Sequence, residues 1–396
     1  MNQTDIFKTH DKCGTPECCG ECPTADVTVD YRLPEHRREV FFAAYEFHLR
    51  YKGMPGFVYG YFPELAKRLY WTQEDKLWFA FLNGCTQNPS TTMTIFERFP
   101  SIADLDIDEF NEWYFSITNS GKMVWQALII DMDRRHFRNK IGLAIKAYQD
   151  NLNGMSQVEF FKQFTNTGDK FKNFRQLWNA VFKGKGINSK FYSFGRLSSF
   201  SYIEYLWIMG LDIDCDSFFS EDYKGSSSHR NGMCKVLGRD DLDEHRTNPL
   251  FEKKVTILHT KEVIAMLDDE MEKLYEEAKF RFALDTDIIG DVSRFTIESQ
   301  LCNYKSWFRK SRRYPNVYVD MGYDRLMKSE AQPEFDTDMQ IFWDIRKDLL
   351  PAELRAESDY GNVGVSSYKQ NLYRTTGRVH TLGLVDSRFE DVPKDK

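Results

Sequence analysis

Long apolar runs are missing from this sequence. The longest, Tyr205 to Leu211 around Met209, is far too short to span a bilayer, and no N-terminal apolar stretch has the form of a signal peptide. The expectation is a chain with no membrane partner, working in the cytoplasm. Period-two alternation of apolar and polar residues is rare, which argues against extensive sheet. Overall positive charge is also missing: 53 Lys and Arg face 60 Asp and Glu, a net charge of -7. That balance excludes a protein that coats nucleic acid over its whole surface. It leaves room for a local basic groove, because screening at physiological salt makes the near field decisive. Cysteines are few, and Cys85, Cys215, Cys234 and Cys302 are too scattered for a disulfide framework, which fits a reducing compartment.

What is present is core material. Of 396 residues, 41% are hydrophobic and 15% aromatic, enough for a large interior and for stacking surfaces as well. Apolar residues recur at helical spacing through most of the chain, beginning with Val40, Phe41, Ala44, Tyr45, His48 and Tyr51. Thr72 followed by Asp75 has the form of a capping box, with Gly84 as the stop. Further helices are expected over 133–151, from Ser156, over 169–182, 199–209, 230–237, 260–282 and 293–309. The predicted fold is mainly α, a multi-helix bundle with little sheet and irregular termini. Its parts are a Cys-rich irregular leader over 1–30, a helical body over 31–330 with an optional split into two helical subdomains near 152–185, and a C-terminal helix and extended tail over 331–396.

Several clusters carry chemistry. Cys13, Cys18, Cys19 and Cys22 have spacing that can surround a structural zinc; a redox-labile or unliganded leader is the alternative, since a second ligand half is missing. Arg134 and Arg135 open a basic cluster that reads either as a phosphate contact or as a solvated helix face. Gly184, Gly186 and Gly195 lie among Lys183, Lys185, Lys190 and Arg196, ahead of Ser198 and Ser199. This is an anion-binding loop at a helix start or an ordinary turn. In 225–232, three serines precede His229, Arg230 and Asn231, with Asp240 and Asp241 beyond. Either amides, hydroxyls and a cation converge there on an anion and His229 moves a proton, or the stretch is an ordinary capped surface helix. In the helix over 293–309, Ile297, Leu301, Tyr304 and Phe308 form a buried stripe, while Glu298, Cys302, Lys305 and Arg309 line the neighbouring one, either as the wall of a cleft or as an exposed ion-pair ladder. Lys305, Arg309, Lys310, Arg312 and Arg313 then follow with no acid before Val319, the best local candidate for a DNA backbone contact.

Four strings, FFAAYEFHLRYK (41–52), WTQEDKLWFAFLNG (71–84), DMDRRHFRNKI (131–141) and SSSHRNGMCKVLGRDD (226–241), resemble the bacteriophage amino acid:DNA transferases. These are grouped with the alpha-glutamyl or putrescinyl thymine pyrophosphorylases and related to the helix-hairpin-helix DNA glycosylase fold. The resemblance covers roughly 35–330. It implies an enzyme that acts on double-stranded DNA carrying an activated 5-hydroxymethyluracil. The base leaves the stack, an amine from an amino acid or polyamine replaces its (pyro)phosphate, and no cofactor is needed for the chemistry. On that reading Tyr192, Phe194, Tyr202 and Tyr205 assist extrusion of the base. Arg196, Ser198, Ser199, Arg230 and Asn231 hold the leaving group. His229, Asp240, Asp241 or Glu298 takes the amine's proton, and Arg312 or Arg313 holds the amino acid carboxylate. Arg230→Ala is then expected to cut turnover without unfolding the chain. One departure stands out: Gly184-Lys185-Gly186 is followed by Asn188, Ser189 and Lys190 rather than by a compact hairpin. The rival readings are a glycosylase or base kinase, and a DNA-binding phage protein without catalysis.

Overall fold

The computed structural model describes residues 34–53, 59–119, 137, 140–182, 191–221, 227–244, 258–305 and 336–349, together with Leu326, Ser329 and Glu330. Among them the fold is mainly helical and no strand occurs. In chain order the helices are α1 Arg37–Arg50, α2 Tyr61–Arg68, α3 Gln73–Thr86, α4 Pro89–Arg98, α5 Ile107–Asn119, α6 Ile141–Leu152, α7 Gln157–Lys162, α8 Lys170–Phe182, α9 Arg196–Ile208, α10 Ser227–Val236, α11 Lys261–Phe282, α12 Arg294–Tyr304 and α13 Gln340–Leu349. None of the described helices is long and apolar enough to cross a membrane.

Helix starts follow local chemistry. Thr72 and Asp75 close a capping box on α3, and Ser156 and Glu159 close one on α7. Thr260 caps α11 through the Val263 amide, and Ser293 with Thr296 boxes the start of α12. Such caps are each worth about 1 kcal/mol. Gly84 does not stop α3. The helix runs to Thr86 and ends on Gln87 in the left-handed region at φ 58°. Gly84 is internal because a Cβ there would sit 3.2 Å from both Phe194 and Tyr202. Helix α9 begins at Arg196, three residues before the expected Ser199, with Gly195 at its N-cap. Gly210 at φ 89° and Gly238 at φ 69° lie just past α9 and α10, where a residue with a side chain would be strained.

The chain divides into two compact units. The first holds α1, α10, α11 and α12; the second holds α2 to α9 and α13. Residues 152–182, the described part of the optional point of division, lie within the second unit.

The second unit is built on aromatic packing. Phe81 stacks on Tyr148 at 4.4 Å between ring centroids and meets Tyr202 edge-on. Phe194 packs against Phe81, Phe137 and Tyr202. Beside this core, the turn between α3 and α4 is a buried polar network. Thr92 donates to Asn83, Tyr205 donates to Gln87 at 2.9 Å, and Asn88 caps α4.

In the first unit, α10 crosses α12 at very short range. A Cβ on Gly232 would lie 2.2 Å from the Leu301 carbonyl oxygen, so only glycine permits this approach. Helix α1 is tied to α12 by Tyr45 and Thr296 at 2.7 Å and by the Tyr304 hydroxyl, which donates to the Arg37 carbonyl at 2.9 Å. Each side chain of α12 on that face is fully enclosed, from Phe295 through Ile297 and Leu301 to Tyr304.

Candidate active site

The close crossing of α10 and α12 sets the geometry of the candidate site. His229, in the first turn of α10, points Nδ1 at Glu298 Oε1 on α12, 3.0 Å away. Cys302, one turn after Glu298, donates its thiol to the same oxygen at 3.4 Å. His229 is fully buried and Glu298 nearly so. A carboxylate oxygen only accepts, so Nδ1 carries the hydrogen of this bond; in the neutral ring the lone pair is then on Nε2, which has no hydrogen-bond partner among the described residues. Burial, aided by the Glu298 charge, pushes the Cys302 thiol up to about 12, so it acts as a neutral donor. This arrangement of an imidazole oriented by a carboxylate is the one general base catalysis needs. Both residues come from the sequence candidates. Cys302 was placed beside Glu298 by helical spacing, but the pairing of His229 with Glu298 across 69 positions was not legible in the sequence.

The other sequence candidates are distributed as follows. Arg230 is fully buried and bonds to the Ser220 carbonyl at 2.7 Å and to Glu244 at 3.3 Å. Glu244 also faces His259 Nδ1 at 3.5 Å, and its amide donates to Asn231 Oδ1 at 3.0 Å. Arg230 and Asn231 thus hold the chain over 240–244 and 258–260 against α10. Glu244 and His259 were absent from the sequence candidates. Nothing local marks them, because their role exists only once the segment folds back.

Asp240 receives Arg37 through two bonds of 3.0 Å and Lys235 at 2.7 Å. Partial burial works to raise its pKa, but the bonds from Arg37 and Lys235 outweigh this and hold it below the usual carboxylate range, making it a poor proton acceptor. Asp241 is exposed and paired with Arg239 at 2.7 Å. Lys305 follows the last residue of α12 and lies close enough to Cys302 to act on its charge.

Arg196, Ser198 and Ser199 belong to the second unit. Arg196 opens α9 with its guanidinium 5.9 Å from the Phe200 ring, and both serines are buried. Most of the aromatic residues expected to help a base leave the stack are core residues instead. Phe194, Tyr202 and Tyr205 are enclosed in the interior, engaged by Phe81 and Gln87, and only Tyr192 is partly exposed. Cys13, Cys18, Cys19, Cys22, Arg134, Arg135, Lys183, Lys185, Lys190, Arg309, Arg312 and Arg313 lie outside the described residues.

The chain belongs to the amino acid:DNA transferase family, whose model matches residues 62–314 and so takes in α10, α12 and the His229–Glu298 pair. Among curated proteins it is similar to a serinyltransferase of Salmonella phage ViI, 27% identical over 367 residues that cover 89% of this chain and 84% of the relative. No solved structure matches it. A transferase that joins amino acids to DNA is what this membership defines.

Proposed function

We propose that the protein replaces the (pyro)phosphate of an activated 5-hydroxymethyluracil in double-stranded DNA with an amino acid, and that His229 is the base. The carrying observation is the His229–Glu298 contact of 3.0 Å, with Nε2 left to accept a proton. In the step, the amine nitrogen attacks the methylene carbon on the base and a carbon–nitrogen bond forms. The bond from that carbon to the (pyro)phosphate oxygen breaks, and its electron pair leaves with the (pyro)phosphate. The amine proton passes to His229 Nε2, and Glu298 stabilises the imidazolium.

Lys305, Arg309, Lys310, Arg312 and Arg313 are assigned to the DNA backbone and to the donor carboxylate. The first of them lies three residues after Cys302, at the C-cap of the helix that carries Glu298. Arg134, Arg135, Lys183, Lys185, Lys190 and Arg196 are assigned to phosphate contacts outside this pair, whereas Ser198 and Ser199 are buried and take no part. The cytoplasm, that of the host for a phage protein, is the assigned compartment.

The test incubates the protein with DNA bearing phosphorylated or pyrophosphorylated hydroxymethyluracil and single amino acids, followed by nucleoside mass analysis. An adduct with released (pyro)phosphate is the expected product. His229→Ala and Glu298→Gln should each lower the rate by about a hundredfold to ten-thousandfold. Serine has two nucleophiles, so its adduct is also assayed for a free α-amine; a reactive amine would move the linkage to oxygen. Abasic DNA would indicate a glycosylase, and binding without product a non-catalytic protein.

A further inference from the structure

Three donors of the first unit meet in a way that proton transfer alone does not use. A ring nitrogen of His229, a carboxylate oxygen of Glu298 and the sulfur of Cys302 all lie within 4.8 Å of one another. Bonds of about 2.0–2.3 Å to nitrogen, oxygen and sulfur put tetrahedral ligands roughly 3.3–3.8 Å apart. The distances of 3.0 Å from His229 to Glu298 and 3.4 Å from Cys302 to Glu298 are near that spacing. Glu298 and Cys302 are one turn apart on α12, and α10 brings His229 to them at the crossing that Gly232 permits. The donor set is imidazole, carboxylate and thiolate. It selects a borderline-soft divalent ion of the zinc class rather than magnesium or calcium, which take oxygen ligands. Three protein ligands leave a fourth position for water or a small donor.

We propose that His229, Glu298 and Cys302 bind one divalent transition ion of the zinc class, and that its binding inhibits transfer. The inhibition rests on the function proposed above: a carboxylate and imidazole that hold a metal cannot also orient and accept a proton. On binding, the Cys302 S–H proton leaves to solvent and sulfur bonds to the metal. The His229 proton moves from Nδ1 to Nε2, so that the Nδ1 lone pair and an oxygen lone pair of Glu298 fill two further positions.

The experiment uses the full chain with Cys13→Ser, Cys18→Ser, Cys19→Ser and Cys22→Ser, so that the leader's thiols contribute nothing. After treatment with chelator, Co²⁺ is titrated and thiolate-to-cobalt charge transfer is read in the near ultraviolet. Zinc inhibition of transfer is measured in parallel as a ratio to each variant's own zinc-free rate. The expected result is one cobalt equivalent with a thiolate band that Cys302→Ala and Cys302→Ser both remove. Glu298→Gln should weaken cobalt affinity by at least about tenfold. Zinc should inhibit the parent and spare Cys302→Ser. Two cysteine variants, checked by their melting curves, guard against a fold defect in one of them. A missing band, or one that persists in both variants, overturns the site. A thiolate band at full occupancy with undiminished transfer overturns the inhibition. Normal metal-free turnover by His229→Ala would refute the assignment of the base and leave the metal site standing.

Discussion

Replacing Gly232 with alanine puts one methyl group where α10 and α12 touch. The added Cβ would stand 2.2 Å from the Leu301 carbonyl oxygen, 2.7 Å from its carbon and 3.0 Å from its Cα. A comfortable carbon–oxygen contact is about 3.4 Å, so the helices must separate by roughly 1 Å. All three atoms are backbone within a helix, and no side chain can rotate away to make room. Overpacking of this kind costs about 1–3 kcal/mol, and the upper end applies because nothing flexible can yield. Alanine's better helix propensity returns about 1 kcal/mol. The net expectation is a loss of about 2 kcal/mol, a fall of about 4–8 °C in the transition that reports the first unit.

The effect on activity should be larger than the effect on stability. His229 lies three residues before Gly232 on α10, and its 3.0 Å bond to Glu298 spans this same crossing. A displacement of about 1 Å breaks that bond and can lower transfer about a hundredfold. Gly195→Ala is the matched control, since a Cβ there meets nothing within 4 Å; it should cost under about 1 kcal/mol. Thermal unfolding and single-turnover transfer, measured on the same preparations, decide the matter. Wild-type melting and wild-type rate for Gly232→Ala would refute the claim that this contact sets the site.

Three further outcomes are expected. Arg230→Ala leaves Glu244 buried without its strong partner, so the loss should be about 3–5 kcal/mol of stability. Much of it should return when Glu244→Gln is added, and an Arg230→Ala protein that melts like the parent would remove this account. His48 is held near 3 by burial, with Gln300 opposing. The unfolded chain therefore takes up a proton below about 6.5 that the folded protein refuses. The stability this residue contributes is complete above that pH and falls by up to about 1.4 kcal/mol per pH unit toward 3. Urea midpoints between pH 4.5 and 7 should be less steep for His48→Gln than for the parent; parallel curves would contradict the shift. Finally, replacing Lys305 or Arg309 with alanine should weaken DNA binding and reduce the dependence of log affinity on log salt by about one for each phosphate no longer neutralised. An unchanged slope would take the residue off the DNA backbone.

Helix starts were legible because their signals are local. Thr72 with Asp75, and Ser156 before its phenylalanines, mark caps within four residues, and the structure places helices there. Gly84 misled for the converse reason. A glycine reads as a stop when only its neighbours are considered, but here it clears space for Phe194 and Tyr202 from more than a hundred residues away. The same aromatic residues illustrate the limit of composition. Rings suited to stacking on a base are equally suited to an interior, and the interior holds Phe194, Tyr202 and Tyr205.

The serine-rich stretch before Gly232 shows how density of polar residues divides between folding and chemistry. Its residues point in different directions around one helix, so neighbours in sequence meet different partners. Arg230 and Asn231 turn toward Glu244 and fasten a segment of chain, while His229 turns toward Glu298. Periodicity did place Glu298 and Cys302 on one stripe of α12, and chemistry singled out His229 on its own. Joining the two needed the crossing of α10 and α12, which depends on the absence of a single methyl group at Gly232. Helix contacts of that closeness are written in the shape of both surfaces at once. A reading that follows one strip of chain at a time can nominate an imidazole and a carboxylate, but only the fold decides that they share a proton.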